Sequence, residues 1–372
     1  MSTPYGQLPR WVEFGLLPLI NVVVAFLVSG LVVLFIGESP LTAVKYLVTG
    51  ALGSGEGLGF TLYYATSFMF TGLAVAVAFH CGLFNIGGEG QAYIGGLGVG
   101  LVCLLLDRVT PWYITAPAAA IAAFAFGAAW ALIPAWLQAK RGSHIVITTI
   151  MFNFIAASLM VYLLVHPLKQ PGTMSPQTRL FAEGAELPRL GWLMRIFGLD
   201  LGTASLNITF LFALLAAFLV WVLIWRTRFG YEIRTMGFNP TAAAYAGIPY
   251  VRTVVVTMLI SGGLAGLMAV NVVMGDHGKL QIDFASGAGF VGIAVALMGR
   301  SHPIGIVIAA VLFGVLYQGG AELAFWVPNI TREMIILIQG LVILFAGALE
   351  NMFRPALVRL FAPPARIAAN PA

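Results

Sequence analysis

The stretch FTLYYATSFMFTGLAVAVAFHCGLFNIGGEGQAYIGGLGVGLVCLLL, residues 60–106, governs the reading of the whole chain. Phe60–Phe79 carries no charge. At ~1.5 Å per helical residue, it is long enough to cross a hydrocarbon core of ~30 Å. Gly87–Leu106 is a second such run, with Glu89 its one acid. Between and across their junction lie Gly82, Gly87, Gly88 and Gly90 with Asn85, Glu89 and Gln91, a composition that breaks a helix. The break is either a tight cytoplasmic turn or an unwound stretch within the bilayer. Lipid cannot satisfy freed backbone groups, so an unwound stretch must lie against protein or line a wet cavity. In that case Asn85, Glu89 and Gln91 face a translocation path. An unpaired acid at mid-bilayer costs ~2.5–3.5 kcal/mol on insertion scales.

The rest of the chain is of the same kind. Of its 372 residues, 60% are hydrophobic and 9% charged, where a soluble domain has roughly 45–50% and 25%. A water-soluble enzyme is excluded. The apolar segments are continuous rather than alternating, which excludes a membrane β-barrel. The expected fold is an all-α integral membrane protein. Further spans are expected at Phe14–Ile36, Trp112–Leu137, Ile145–Val165, Leu206–Trp225 and Thr253–Met274, with shorter ones at Phe284–Gly299, Pro303–Gly319 and Met334–Leu349. That makes about ten, and the short pieces read as half-helices or discontinuous spans. The first run exceeds the ~7–15 residues of a signal-peptide core and reads as a retained helix.

An even count puts both ends on one side. Placing them in the cytoplasm gathers Lys140, Arg141, Arg226, Arg228, Arg234 and Arg252 inside, as the positive-inside rule requires. Arg10 and Arg366 flank the bundle on that side. Residues 1–372 then form a single transmembrane domain with an external loop at 167–205, a cytoplasmic loop at 226–252 and a basic cytoplasmic tail at 353–372.

No catalytic or metal site is expected. The five histidines form no H-E-x-x-H or H-x-x-x-H pair, and Cys81 and Cys103 read as small buried hydrophobes. Gly287–Gly292 matches G-x-G-x-x-G inside an apolar segment with no strand before it, so it reads as helix packing. No phosphate-binding loop is present. With Glu89 the clear intramembrane acid, the charge relays of an ion-coupled transporter are lacking, which points to an energy source elsewhere. A stand-alone secondary transporter is the rival class.

Residues 226–252 carry a second signal. Asn239-Pro240 is a good helix start, since Asn caps free N–H groups and Pro suits the first turn. The run Thr241–Ala246 is alanine-rich, and Gly247 followed by Pro249 ends it. A helix of about two turns beneath the membrane fits a groove on a soluble partner. The other reading is a basic loop touching lipid headgroups. Two more features stand out: GLAVAV at 72–77 recurs as GIAVAL at 292–297, and the polar run Gly275–Asp283 follows a span. That run reads as a solvated outer loop, or as a surface meeting substrate or a binding protein.

The runs TGLAVAVAF (71–79) and GLFNIGGEGQ (82–91) resemble the signature of bacterial ABC importer permeases of the branched-chain amino acid, sugar and nucleoside superfamily. The resemblance is greatest to its nucleoside, simple-sugar type branch. Residues 140–153, KRGSHIVITTIMFN, are similar to that branch's E-V-I-x-T-I-M-L-N helix, with His144 in place of Glu and Phe152 in place of Leu. Residues 226–248 resemble the family's coupling loop, and GFVGIAVAL (289–297) a late membrane motif. The resemblance adds Asn153 and Phe290 to the pathway residues. It implies ATPase coupling through Tyr231, Arg234, Asn239, Pro240, Tyr245, Ala246 and Gly247. It further implies a cytoplasmic ATPase subunit holding ATP and Mg, a second homologous permease, a substrate-binding lipoprotein or periplasmic protein, and residence in the bacterial inner membrane. This chain itself binds no cofactor and no nucleic acid. Its substrate is a nucleoside or another small solute (a simple sugar, a riboflavin-like compound or a purine base).

Overall fold

A computed structural model describes residues 9, 12, 16–35, 37–196 and 198–361. Arg10, Arg366 and the end of the basic tail lie outside the described residues. The chain divides into two compact units: residues 1–47 with 320–372, and residues 48–319.

The described residues are overwhelmingly helical. In chain order the helices are α1 (Leu17–Phe35), α2 (Pro40–Leu52), α3 (Gly55–His80), α4 (Gly88–Leu106), α5 (Trp112–Arg141), α6 (Ile145–Val165) and α7 (Gly191–Ile196). They continue as α8 (Thr209–Arg226), α9 (Arg228–Phe238), α10 (Pro240–Tyr245), α11 (Tyr250–Ala269), α12 (Ala288–Met298), α13 (Pro303–Trp326) and α14 (Arg332–Phe361). A π-helical stretch, Val270–His277, prolongs α11.

Among the described residues, 7 helices are long and apolar enough to cross a membrane, or 8 if α1 and α2 count as one bent span. Fewer spans therefore meet this test than the ten expected from sequence. One difference is α12: at 11 residues it covers roughly half of a bilayer core. The expected run Phe284–Gly299 begins instead as turn, where Asp283 and Ser286 take left-handed φ values of 58° and 46° and Gly287 one of 80°. Helix α2 was missed by the sequence reading, although Leu41, Val44, Leu47, Val48 and Ala51 repeat at helical spacing behind Pro40.

In the larger unit, α3, α4 and α11 form the centre, with α11 packed on α3, α4 and α5. Glycine makes this possible. A Cβ on Gly95 would strike the backbone of Gly266, and one on Gly127 the backbone of Gly262, so the helices touch main chain to main chain. Helices α5, α6 and α8 are peripheral and turn Ile121, Ile147, Phe154, Phe218 and Leu219 outward, as lipid-facing helices do. In the smaller unit α1 packs on α14. Val33, Ala43, Leu323, Val327, Ile335 and Ile338 share a core there, and Tyr46 stacks on Trp326.

The segment 167–205 is pinned to the larger unit. Arg179 grips Asp107 with both guanidinium nitrogens, at 2.6 and 2.9 Å, and Ala182 N–H donates to the same carboxylate. This guanidinium holds the buried Asp107 carboxyl below the usual carboxylate range.

Candidate functional site

The glycine-rich break is ordered by side chains. Helix α3 ends at His80, Gly82 takes a φ of 73°, and α4 starts at Gly88. Asn85 is fully buried. Its Nδ2 donates to Gln91 Oε1 at 2.9 Å and to Ser261 Oγ at 2.8 Å, while its Oδ1 accepts from Gly87 N–H at 2.9 Å. Ser261, on α11, donates onward to the Ala74 carbonyl. Asn153 of α6 fastens the other side: Gly90 N–H donates to its Oδ1, and its Nδ2 donates to the Ile86 carbonyl, both at 2.9 Å. Freed backbone groups of the break thus find protein partners, as burial away from water requires.

Glu89 reaches a different element. Its Oε1 accepts from Gly287 N–H at 2.9 Å and its Oε2 from Gly289 N–H at 2.8 Å. Those amides open α12, so the carboxylate sits at the positive end of that helix. Gly289 is required by contact, since a Cβ there would overlap the Glu89 backbone. The two similar hexapeptides also meet: a Cβ on Gly72 would press Val295, and one on Gly292 would overlap Thr71. The structure therefore brings Asn85, Glu89, Gln91 and Asn153 together in and around one break. Phe290, next to Gly289 in sequence, is 49% exposed. Ser261 was missed because it lies within a run that reads as plain apolar span.

The 226–252 segment is two short helices. Thr227 caps α9, its Oγ1 accepting from Gly230 N–H. Arg234 donates to the Ile224 carbonyl at 2.9 Å, tying α9 to the end of α8. Asn239 Oδ1 accepts from Thr241 and Ala242 N–H at 3.0 and 3.1 Å, Pro240 occupies the first turn, and Gly247 follows Ala246 with a φ of 77°. Phe238 and Tyr245 flank this helix, each 90% exposed, and Tyr231 is 57% exposed.

The larger unit also holds a cavity of 160 Å³. Tyr63, Tyr64 and Phe68 of α3 line it, as do Tyr317 of α13 and Phe284. Its polar wall includes Asp276 and His277. The Gly275–Asp283 run reads as polar from sequence, but the aromatic cluster it faces does not show there, because Tyr63, Tyr64, Phe68 and Tyr317 come from α3 and α13, distant in the chain. Among the described residues, no group of three His, Cys, Asp or Glu side chains could hold a metal ion.

Comparison with known proteins gives the family. The model of the "branched-chain amino acid transport system / permease component" family matches residues 57–347. The chain is 34% identical to the nucleoside ABC transporter permease protein NupB of Lactococcus lactis subsp. cremoris, covering 89% of this chain and 90% of that protein. It is 34% identical to the guanosine ABC transporter permease protein NupP of Bacillus subtilis, over 90% of this chain and 93% of that one. It is 33% identical to the glucose ABC transporter permease protein TsgB13 of Haloferax volcanii, over 92% and 89%.

Proposed function

The chain belongs to the family of branched-chain amino acid transport system permease components, and from that premise we propose that it forms half of the path of an ATP-driven nucleoside importer. It is a transporter component, and ATP with Mg is bound and hydrolysed by a partner ATPase. A second homologous permease supplies the other half of the path, and a lipoprotein or periplasmic protein delivers substrate. The complex lies in the bacterial inner membrane, with about ten crossings and both chain ends in the cytoplasm.

The observation that carries this reading is the capped helix α10. A rigid two-turn peg with exposed Phe238 and Tyr245 at its ends is suited to a groove on a soluble ATPase. Closure of the ATPase pair pushes α10 and α9, and Arg234 passes the movement to α8. The translocation path runs beside the 82–91 break: Phe290 faces it, while Asn85, Glu89, Gln91 and Asn153 hold the main chain that borders it. A sugar substrate is the second reading, favoured by the glucose permease relative.

The test is uptake of labelled guanosine, adenosine and glucose by the reconstituted complex. We expect uptake to require ATP and to persist without an ion gradient. Asn239→Ala with Tyr245→Ala should cut transport at least ~5-fold with membrane insertion normal, since loss of an N-cap alone costs about 1 kcal/mol of helix stability. Uptake driven by an ion gradient without the ATPase subunit would overturn the proposal.

A further inference from the structure

We propose that the cavity between α3, α13 and the end of α11 is the subsite that holds the substrate's ring system, a planar, uncharged heterocycle that offers N–H donors to Asp276. The inference rests on the import function proposed above and deepens it.

The cavity's volume, 160 Å³, is below the ~300–1,000 Å³ of sites that enclose a drug-sized ligand. It suits one ring system rather than a whole nucleoside. Its walls are aromatic: Phe68 and Tyr317 meet edge to face with centroids 4.8 Å apart, and Tyr64 lies 5.9 Å from Tyr317. Aromatic faces stack on a base whatever its identity.

The polar wall is placed by unusual backbone. Asp276 and His277 end the π-helical stretch that prolongs α11, and π segments within α-helices concentrate at functional sites. The following loop holds Asp283 and Ser286 in left-handed conformations that L side chains rarely adopt. Tyr93 O–H donates to Asp283 at 2.8 Å, which fixes that turn. Asp276 is itself held. Tyr63 O–H donates to its Oδ2 at 3.0 Å, Ser205 O–H donates to its Oδ1, and His277 Nε2 lies 3.6 Å from Oδ2. An ionised carboxylate has about four acceptor positions, so the two hydroxyls leave room for donors from a ligand. His277 Nδ1 is buried without a hydrogen-bond partner, a second polar atom awaiting a contact at this wall. Beneath it, Asn271 binds Asn207, Thr209 and Ser67, stiffening the floor on which the wall stands.

The expected discrimination follows from the donor edge. Guanosine presents a ring N–H and an amino group side by side, whereas the corresponding ring nitrogen of adenosine carries no hydrogen. In the reconstituted complex, Asp276→Asn should raise the guanosine KM about 10-fold and that of adenosine under about 2-fold, because a site built around a hydrogen bond is unforgiving of its loss. Tyr317→Leu should raise both KM values roughly 5-fold or more, since it removes ring area and no donor specificity. In Ser286→Cys, saturating guanosine should slow maleimide labelling, a readout that needs no turnover. Equal KM changes for both nucleosides in Asp276→Asn would make Asp276 a purely structural residue and overturn the proposal. Unchanged guanosine KM values in both variants, or labelling of Ser286→Cys slowed by glucose and not by guanosine, would do the same. ATP-driven import of glucose alone would overturn the subsite and leave the importer reading standing; absence of ATP-driven import of all three probes would remove both.

Discussion

Glu89 accepts from two main-chain N–H groups, those of Gly287 and Gly289, and this explains how an acid is tolerated among apolar helices. Deleting the carboxylate leaves the buried Gly289 donor unpaired, at ~1–3 kcal/mol, and the half-buried Gly287 donor without its partner. Glu89→Gln keeps one acceptor oxygen. We therefore expect Glu89→Ala to lower the apparent Tm of the purified chain well below that of Glu89→Gln, with both below wild type. Equal Tm values for all three proteins would show that the contact does not hold α12. That Glu89 stands apart was legible, because it is an acid in a charge-poor run. Its partner was not, because the amides of Gly287 and Gly289 are donors that every residue except proline carries, and nothing in their side chains marks them.

At the scale of elements, short-range signals were readable and long-range ones were not. The Asn239-Pro240 start and the Gly247 stop of α10 are local chemistry, and the helix forms between them. The break at 82–91 was also visible, but its fastening by Asn153 and Ser261 depends on helices far away in sequence. The 167–205 segment read as an external loop, but its clamping by Arg179 and Asp107 to the end of α4 depends on residues far apart in sequence. The clamp has a pH signature. The Asp107 carboxyl is held below its usual value, chiefly by the Arg179 hydrogen bond. Its contribution is therefore complete above the unfolded carboxylate pKa of ~3.9 and is lost as pH falls below that. Amide exchange at 180–184, corrected for the intrinsic rate, should be protected at neutral pH and should rise as pH falls below about 4. Asp107→Asn should show the raised exchange already at neutral pH. Identical protection in Asp107→Asn and wild type at neutral pH would rule the clamp out.

For the whole molecule, low charge content and long apolar runs were enough to give a helical membrane protein, because a bilayer admits few alternatives. Which helices sit at the centre was not readable. Mean hydropathy is high in both groups, and burial within the fold, rather than apolarity, separates α3, α4 and α11 from the peripheral α5, α6 and α8. Sidedness is a prediction of the arginine distribution, and the fold makes it testable with two substitutions. Met174 is fully exposed and Phe238 is 90% exposed, and α8 is the helix between them that is long enough to span. Cys81 and Cys103 are both buried, so the native background of thiol labelling should be low. Met174→Cys should react with an impermeant maleimide added to intact cells. Phe238→Cys should react only after permeabilisation, because the positive-inside rule assigns the side of α8 that carries Arg226, Arg228 and Arg234 to the cytoplasm. Labelling of Phe238→Cys from outside would place α10 away from any cytoplasmic ATPase and remove its coupling role. Labelling of both from the same side would mean that α8 does not cross.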